Sequence, residues 1–205
     1  KRRMIISKVC ADVFDIPSLR DWQVEAIHHI CWARPELTFI QRAPADGKSL
    51  VIMTHAFMTR GFLLVIVPLL GLGCDQVDKA RLDAHNIEAY HLDEHRGVHA
   101  TRLCRRLNAM SSSEWAATSV IWFASAGSLS PHPDSGELSP WLKPLRKLAA
   151  DGRMSMVCID EAHYVNQHGR DFRPEFHSAL VATREVVARS RSPVPIVAMS
   201  ATMRE

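Results

Sequence analysis

The sequence predicts an α/β fold, a mostly parallel sheet with helices on both faces. Three observations carry that expectation. Short β-branched runs alternate strictly with longer segments of helical spacing, the pattern of a layered α/β domain. Several of the short runs are apolar almost without interruption, as strands buried on both faces are, and Leu63-Leu64-Val65-Ile66-Val67 is the clearest. The loops after these runs collect glycine, charge and hydroxyls, and open α/β sheets bind ligands at the carboxyl ends of their strands.

The elements follow in order. An N-terminal helical pattern carries Trp22, His28, His29 and Trp32, with the Trp pair expected to pack. The first strand is read at Leu37–Gln41, followed by a polar loop and a helix at Ser49–Arg60. A strand at Phe62–Val67, a helix at Leu72–Ala84 and a strand at Ile87–His91 come next. Then come a helix at Val98–Met110 and a strand at Ser119–Phe123. Ser125 to Ser139, rich in Ser, Gly and Pro, reads as a surface loop. A helix at Leu138–Ala150 and a strand at Met154–Asp160 lead to a helix at Pro174–Arg189, whose proline suits a first turn. Pro195–Ser200 is the last strand.

Composition bounds the answer. Apolar residues make up 47% and charged residues 23%, which excludes a disordered, collagen-like or coiled-coil chain. A length of 205 residues fits one large domain or two small ones. Lys and Arg number 25 against 22 Asp and Glu, and the resulting +3 permits nucleic acid as a partner without arguing for it. The five cysteines (Cys10, Cys31, Cys74, Cys104, Cys158) are widely spaced with no CxxC pair, as expected of a reduced, intracellular protein. Lys1-Arg2-Arg3 is not followed by the apolar core of a signal peptide. The most apolar stretch, Gly61 to Gly73, is too short to span a bilayer, so no membrane partner is expected. The chain starts without Met and ends just after an apolar strand, and is read as a piece of a longer protein.

Three clusters carry chemistry. The first loop, Arg42-Ala43-Pro44-Ala45-Asp46-Gly47-Lys48-Ser49, ends like a Walker A loop. Gly47 would let the backbone approach a phosphate, Lys48 would reach the β- and γ-phosphates, and Ser49 would ligate Mg²⁺. An ordinary strand-to-helix turn with a capping serine is the plain alternative. The second cluster, Asp160-Glu161-Ala162-His163, ends an apolar strand in adjacent carboxylates. Asp160 can hold Mg²⁺ through its water shell, and Glu161 can polarise an attacking water. The third, Ser200-Ala201-Thr202, puts two hydroxyls at a strand tip. Two further patterns are read as solvated surface, namely His91, His95 and His99 at four-residue steps and the stripe Arg102, Arg105, Arg106.

Taken in order, these residues resemble the first RecA-like lobe of a superfamily 2 helicase, a P-loop NTPase domain, and the RecQ family in particular. The segment from Asp160 to Phe176, ending in Asp171-Phe172-Arg173-Pro174-Glu175-Phe176, resembles the family's DEAH motif and aromatic-rich loop. Val67-Pro68-Leu69-Leu70-Gly71-Leu72 with Asp75-Gln76-Val77-Asp78 is similar to motif Ia. Ser18-Leu19-Arg20-Asp21-Trp22-Gln23 is similar to motif 0, and Ser200-Ala201-Thr202 to motif III. The likeness runs from about Phe14 to Thr202, so residues 1–205 are taken as one helicase ATP-binding domain whose second RecA-like lobe is absent from the chain.

The resemblance implies an ATP-driven 3′-to-5′ DNA helicase acting on single-stranded or partly duplex DNA, and a nuclear protein if eukaryotic. Arg20 and Gln23 would contact adenine; Gly47, Lys48, Ser49 and His163 would complete the ATP site. Ser49 and Asp160 would hold Mg²⁺, and Lys48, Asp160 and Glu161 would be the catalytic set. Pro68, Leu69, Gln76, His168, Arg170, Phe172 and Arg173 would border DNA, where aromatics stack on bases and Arg pairs with phosphate. Ser200 and Thr202 would couple the two sites.

The chain departs from the family at Ala45 and Asp46, where glycines are usual, and Asp46 beside a triphosphate would repel it. Ile16 and His168 stand where aromatics are common, and the motif Ib pattern is hard to find in Phe123-Ala124-Ser125-Ala126-Gly127-Ser128. A catalytically weak lobe that only binds nucleic acid or protein therefore stays open. An RNA substrate stays open too. A P-loop kinase or GTPase is disfavoured, because Asp-Glu-Ala-His and Ser-Ala-Thr have no role there.

Overall fold

The computed structural model describes residues 1–67, 86–95, 97–132, 135–163 and 174–201. Its sheet has six parallel strands: β1 (Leu37–Gln41), β2 (Gly61–Val67), β3 (Ile87–His91), β4 (Ser119–Ser125), β5 (Met154–Ile159) and β6 (Ile196–Ser200). They lie in the order β1-β6-β5-β2-β4-β3. Among the described residues the α-helices are α1 (Arg2–Phe14), α2 (Asp21–His28), α3 (Lys48–Thr59), α4 (Val98–Ala109), α5 (Ser112–Ala117), α6 (Ala126–Leu129), α7 (Leu142–Ala150) and α8 (Pro174–Ala188). A parallel sheet needs both faces covered, and alternation along β2 shows how this one is. Phe62, Leu64 and Ile66 join the core under α4, α7 and α8, while Leu63, Val65 and Val67 join the core under α1, α2 and α3. Trp122 anchors the first core, fully buried edge-on to Phe62 and Trp141.

The predicted strands are present within two residues at each end. The helix expected from Leu138 starts at Leu142 instead, because Pro140 disfavours helical backbone at Ser139. The stretch read as a loop from Ser125 opens with the short helix α6, capped by the Ser125 hydroxyl accepting from the Ser128 N–H at 3.2 Å. The helix expected at Leu72–Ala84 lies outside the described residues. His91, His95 and His99 end β3, follow a 3₁₀ turn and sit in α4, so they share no helix face.

Candidate active site

The strand order brings three tips together. β6 lies between β1 and β5, and because all are parallel their carboxyl ends share one edge. Two sheet spacings set the tips of β1 and β5 about 10 Å apart. The first loop leaves β1, the acidic pair leaves β5, and Ser200 ends β6 between them.

The first loop is fastened to that middle tip, with the Arg42 N–H donating to the Ser200 carbonyl at 3.0 Å. It then turns tightly, with the Asp46 N–H on the Ala43 carbonyl. Ala45 takes φ 58 and Gly47 φ 84, so Ala45 adopts the left-handed backbone that glycine adopts readily. At Gly47 the close approach itself requires glycine. A Cβ there would meet Gln23 Nε2 at 2.6 Å, and that amide donates to the Gly47 carbonyl at 3.2 Å. Lys48, the first residue of α3, donates to the carbonyls of Arg42 and Ala43 at 2.9 and 3.2 Å. Its ammonium is thus held over the loop that a phosphate would occupy, on two neutral acceptors that an anion can replace. Ser49 is exposed one residue further on, at the N-terminus of α3.

Arg20 and Gln23 close the loop from the other side. Gln23 is buried at 6% exposure, and its Oε1 accepts the Arg20 backbone N–H at 3.0 Å, capping α2. The Arg20 guanidinium pairs with Asp46, the residue expected to repel a triphosphate.

On β5 the Asp160 N–H extends the ladder to the Ile66 carbonyl at 2.8 Å. Its Oδ1 accepts the Glu161 N–H at 3.0 Å. Glu161 takes φ 49, a conformation that costs a non-glycine residue about 1–2 kcal/mol and is held by its surroundings. Its Oε2 accepts the Ala201 N–H at 3.2 Å and lies 3.1 Å from His163 Nδ1. That same nitrogen is 3.0 Å from the Ser200 hydroxyl, and the Ala162 N–H donates to the Met199 carbonyl at 2.7 Å. The acidic pair and the hydroxyl tip are therefore one bonded unit. Beneath them, burial and then the Asp160 charge push the Cys158 thiol well up, which leaves it neutral and unreactive.

The residues fit Mg-ATP on the chemistry of their donors. A glycine cradle, a helix N-terminus and a lysine match phosphate. One hydroxyl and one carboxylate match a magnesium ion, which keeps most of its waters. Among the described residues no cluster of three His, Cys, Asp or Glu could serve as an all-protein metal cage.

Lys48, Ser49, Arg20, Gln23, Gly47, Asp160, Glu161, His163 and Ser200 thus all line the edge made by β1, β6 and β5. Pro68, Leu69, Gln76, His168, Arg170, Phe172, Arg173 and Thr202 lie outside the described residues. Phe176, the last residue of the segment that resembles the DEAH motif and aromatic-rich loop, is in the core at 3% exposure. Sequence reasoning missed two participants and one brace elsewhere in the sheet. The Ala201 backbone N–H on Glu161 carries no side-chain signal. The Arg42 side chain lies 5.1 Å over the Trp22 ring and ties α2 to the loop. Asp93 accepts from the Ser125 N–H and hydroxyl at 3.1 and 2.7 Å, which bolts β3 to the tip of β4.

Comparison with known proteins points the same way. A family model described as DEAD/DEAH box helicase matches residues 20–205. The chain is 29% identical over 201 residues to the ATP-dependent DNA helicase Q-like SIM of Arabidopsis thaliana, covering 96% of this chain and 21% of that protein. It is 30% identical over 191 residues to the ATP-dependent DNA helicase RecQ of Pasteurella multocida, covering 93% and 26%. The chain thus spans about a quarter or less of the length of these curated relatives. Among solved structures it resembles a nuclease-deletion mutant of the Type ISP restriction-modification enzyme LlaGI in complex with a DNA substrate mimic. That likeness has a TM-score of 0.55 at 13% identity, covers 90% of this chain and 17% of that one, and speaks to the fold.

Proposed function

Because this chain belongs to the DEAD/DEAH box helicase family, we propose that it is the nucleotide-binding lobe of a RecQ-type ATP-dependent DNA helicase. The observation that carries the reading is the bonded edge of β1, β6 and β5, where Lys48, Asp160 and Glu161 converge through Arg42, Ser200 and Ala201.

Mg-ATP, when bound, supplies the phosphoryl group and the cation that spreads its charge. Lys48 exchanges two neutral carbonyls for phosphate oxygens, and Gly47 with the first N–H groups of α3 lines the same anion. Ser49 and Asp160 hold the magnesium ion. Glu161 orients the attacking water and accepts its proton, and the Ala201 N–H and His163 keep that carboxylate in place. Gln23 borders adenine, with Arg20 beside it at the start of α2. Because His163 touches Ser200, a change at the acidic pair is transmitted to the end of β6.

DNA contact belongs to Pro68, Leu69, Gln76, His168, Arg170, Phe172 and Arg173, with single-stranded or partly duplex DNA as partner and 3′-to-5′ polarity. A second RecA-like lobe of the parent chain supplies the arginine that completes the site. An intracellular location, nuclear in a eukaryote, goes with this reading. Among the described residues no helix is long and apolar enough to cross a membrane. The catalytically weak alternative rested on Ala45 and Asp46. It is not favoured, because Ala45 takes the backbone of a glycine and Asp46 is paired.

The test is DNA-stimulated ATP hydrolysis by the parent chain. Glu161→Gln is expected to keep ATP binding and to lower turnover by about 100-fold or more. Unchanged turnover in that variant removes Glu161 from the chemistry. Polarity is read from unwinding of 3′-tailed against 5′-tailed duplexes.

A further inference from the structure

We propose that Arg20 serves the phosphate loop of this chain chiefly as the counter-ion of Asp46, so that its contribution to nucleotide binding depends on that carboxylate. The inference rests on the nucleotide reading of the site and deepens it.

Asp46 sits two residues before Lys48 in a loop meant for an anion. Its side chain is 19% exposed, so water screens it poorly. The nearest loop cation, Lys48, is turned onto the carbonyls of Arg42 and Ala43. Among the described residues Arg20 is the one cation paired with Asp46. Arg20 is held there by its neighbours. Its backbone N–H is bound by Gln23, and Gln23 is bound to the Gly47 carbonyl, so the start of α2 is clamped to the loop. The pair replaces a flexible glycine by a carboxylate whose charge is cancelled in place. With the guanidinium present the loop offers a phosphate the field of Lys48 and the α3 N-terminus. Without it, the same loop presents an uncompensated negative charge two residues before Lys48 and the start of α3.

Two other arrangements lead to different outcomes. If Arg20 acts on adenine directly, its loss hurts equally whether or not Asp46 is charged. If Asp46 competes with nucleotide for Arg20, the loss of Arg20 hurts more once Asp46 is neutral.

The experiment is a double-mutant cycle on the whole chain, with a fluorescent ATP analogue plus Mg²⁺ as probe and binding read by anisotropy. The variants are Arg20→Ala, Asp46→Asn, the double variant and Arg20→Lys. Arg20→Ala is expected to weaken binding about 10-fold or more in the natural background and less than about 3-fold beside Asp46→Asn. Arg20→Lys is expected to restore most of the affinity, since cancelling a charge needs only a charge, whereas a planar contact with adenine would not accept the swap. Melting of the nucleotide-free variants supplies a reading that needs no ligand: Arg20→Ala lowers the Tm of the natural chain but not that of the Asp46→Asn chain.

Equal effects of Arg20→Ala in both backgrounds, or a larger one beside Asp46→Asn, overturn the proposal. So does a Tm loss independent of Asp46. If no variant binds the probe in a Lys48-dependent manner while the melting cycle still shows coupling, the pair stands and the nucleotide reading fails.

Discussion

His55 gives the structure a pH dependence that can be worked out in advance. It lies on α3 with no exposed surface, its Nδ1 3.5 Å from the Cys31 thiol. Burial, with a smaller push from the Arg34 charge, lowers its pKa from the ordinary 6.5 to about 4. The folded state therefore resists protonation that the unfolded chain accepts. The stability this carries is complete above pH 6.5, declines as pH falls from 6.5 towards 4, and levels off below. At about 1.4 kcal/mol per pH unit the full loss is about 3 kcal/mol, of which about 2 kcal/mol has gone by about pH 5. Urea unfolding followed by tryptophan fluorescence measures it, with His55→Gln as the reference that removes every other titrating group from the difference. The stability gap between the natural chain and His55→Gln is expected to shift by about 2 kcal/mol against the natural chain between about pH 7.5 and pH 5. A gap that stays constant with pH refutes the argument from burial.

Two further outcomes follow from particular contacts. Gly47→Ala places a methyl 2.6 Å from Gln23 Nε2 at a φ of 84, and it is expected to weaken binding of a fluorescent ATP analogue. The loss should be about 10-fold or more, because strain and the broken Gln23 bond each amount to about 1 kcal/mol. Trp122→Ala removes the side chain packed on Phe62 and Trp141, and urea unfolding should show a loss of about 3–5 kcal/mol.

The strands were legible because burial on both faces leaves continuous apolar runs such as Leu63 to Val67. Helix α1 was not, since only Ile6 and Cys10 on it are buried and the rest of it reads as mixed polarity. The strand order is written in no local pattern. That β6 enters between β1 and β5, and so brings Lys48 towards Asp160, depends on contacts between distant segments. For the same reason the site residues could be named one by one while their bonds could not. Asp46 reads as an intruder in a phosphate loop until Arg20 folds over it. Ala45 reads as a lost glycine until its φ of 58 is seen. Glu161 reads as a base at a strand end, with nothing to announce the Ala201 N–H that holds it.

The proposed function stands or falls on whether the loop from Arg42 to Ser49 cradles the phosphates of a nucleotide. Titration of this chain with a fluorescent ATP analogue and Mg²⁺, beside Lys48→Ala, tests it most directly. Saturable binding by the natural chain is expected, weakening by about 10-fold or more in Lys48→Ala with the loss of a charge-assisted phosphate contact. Binding of equal strength by both proteins would contradict it.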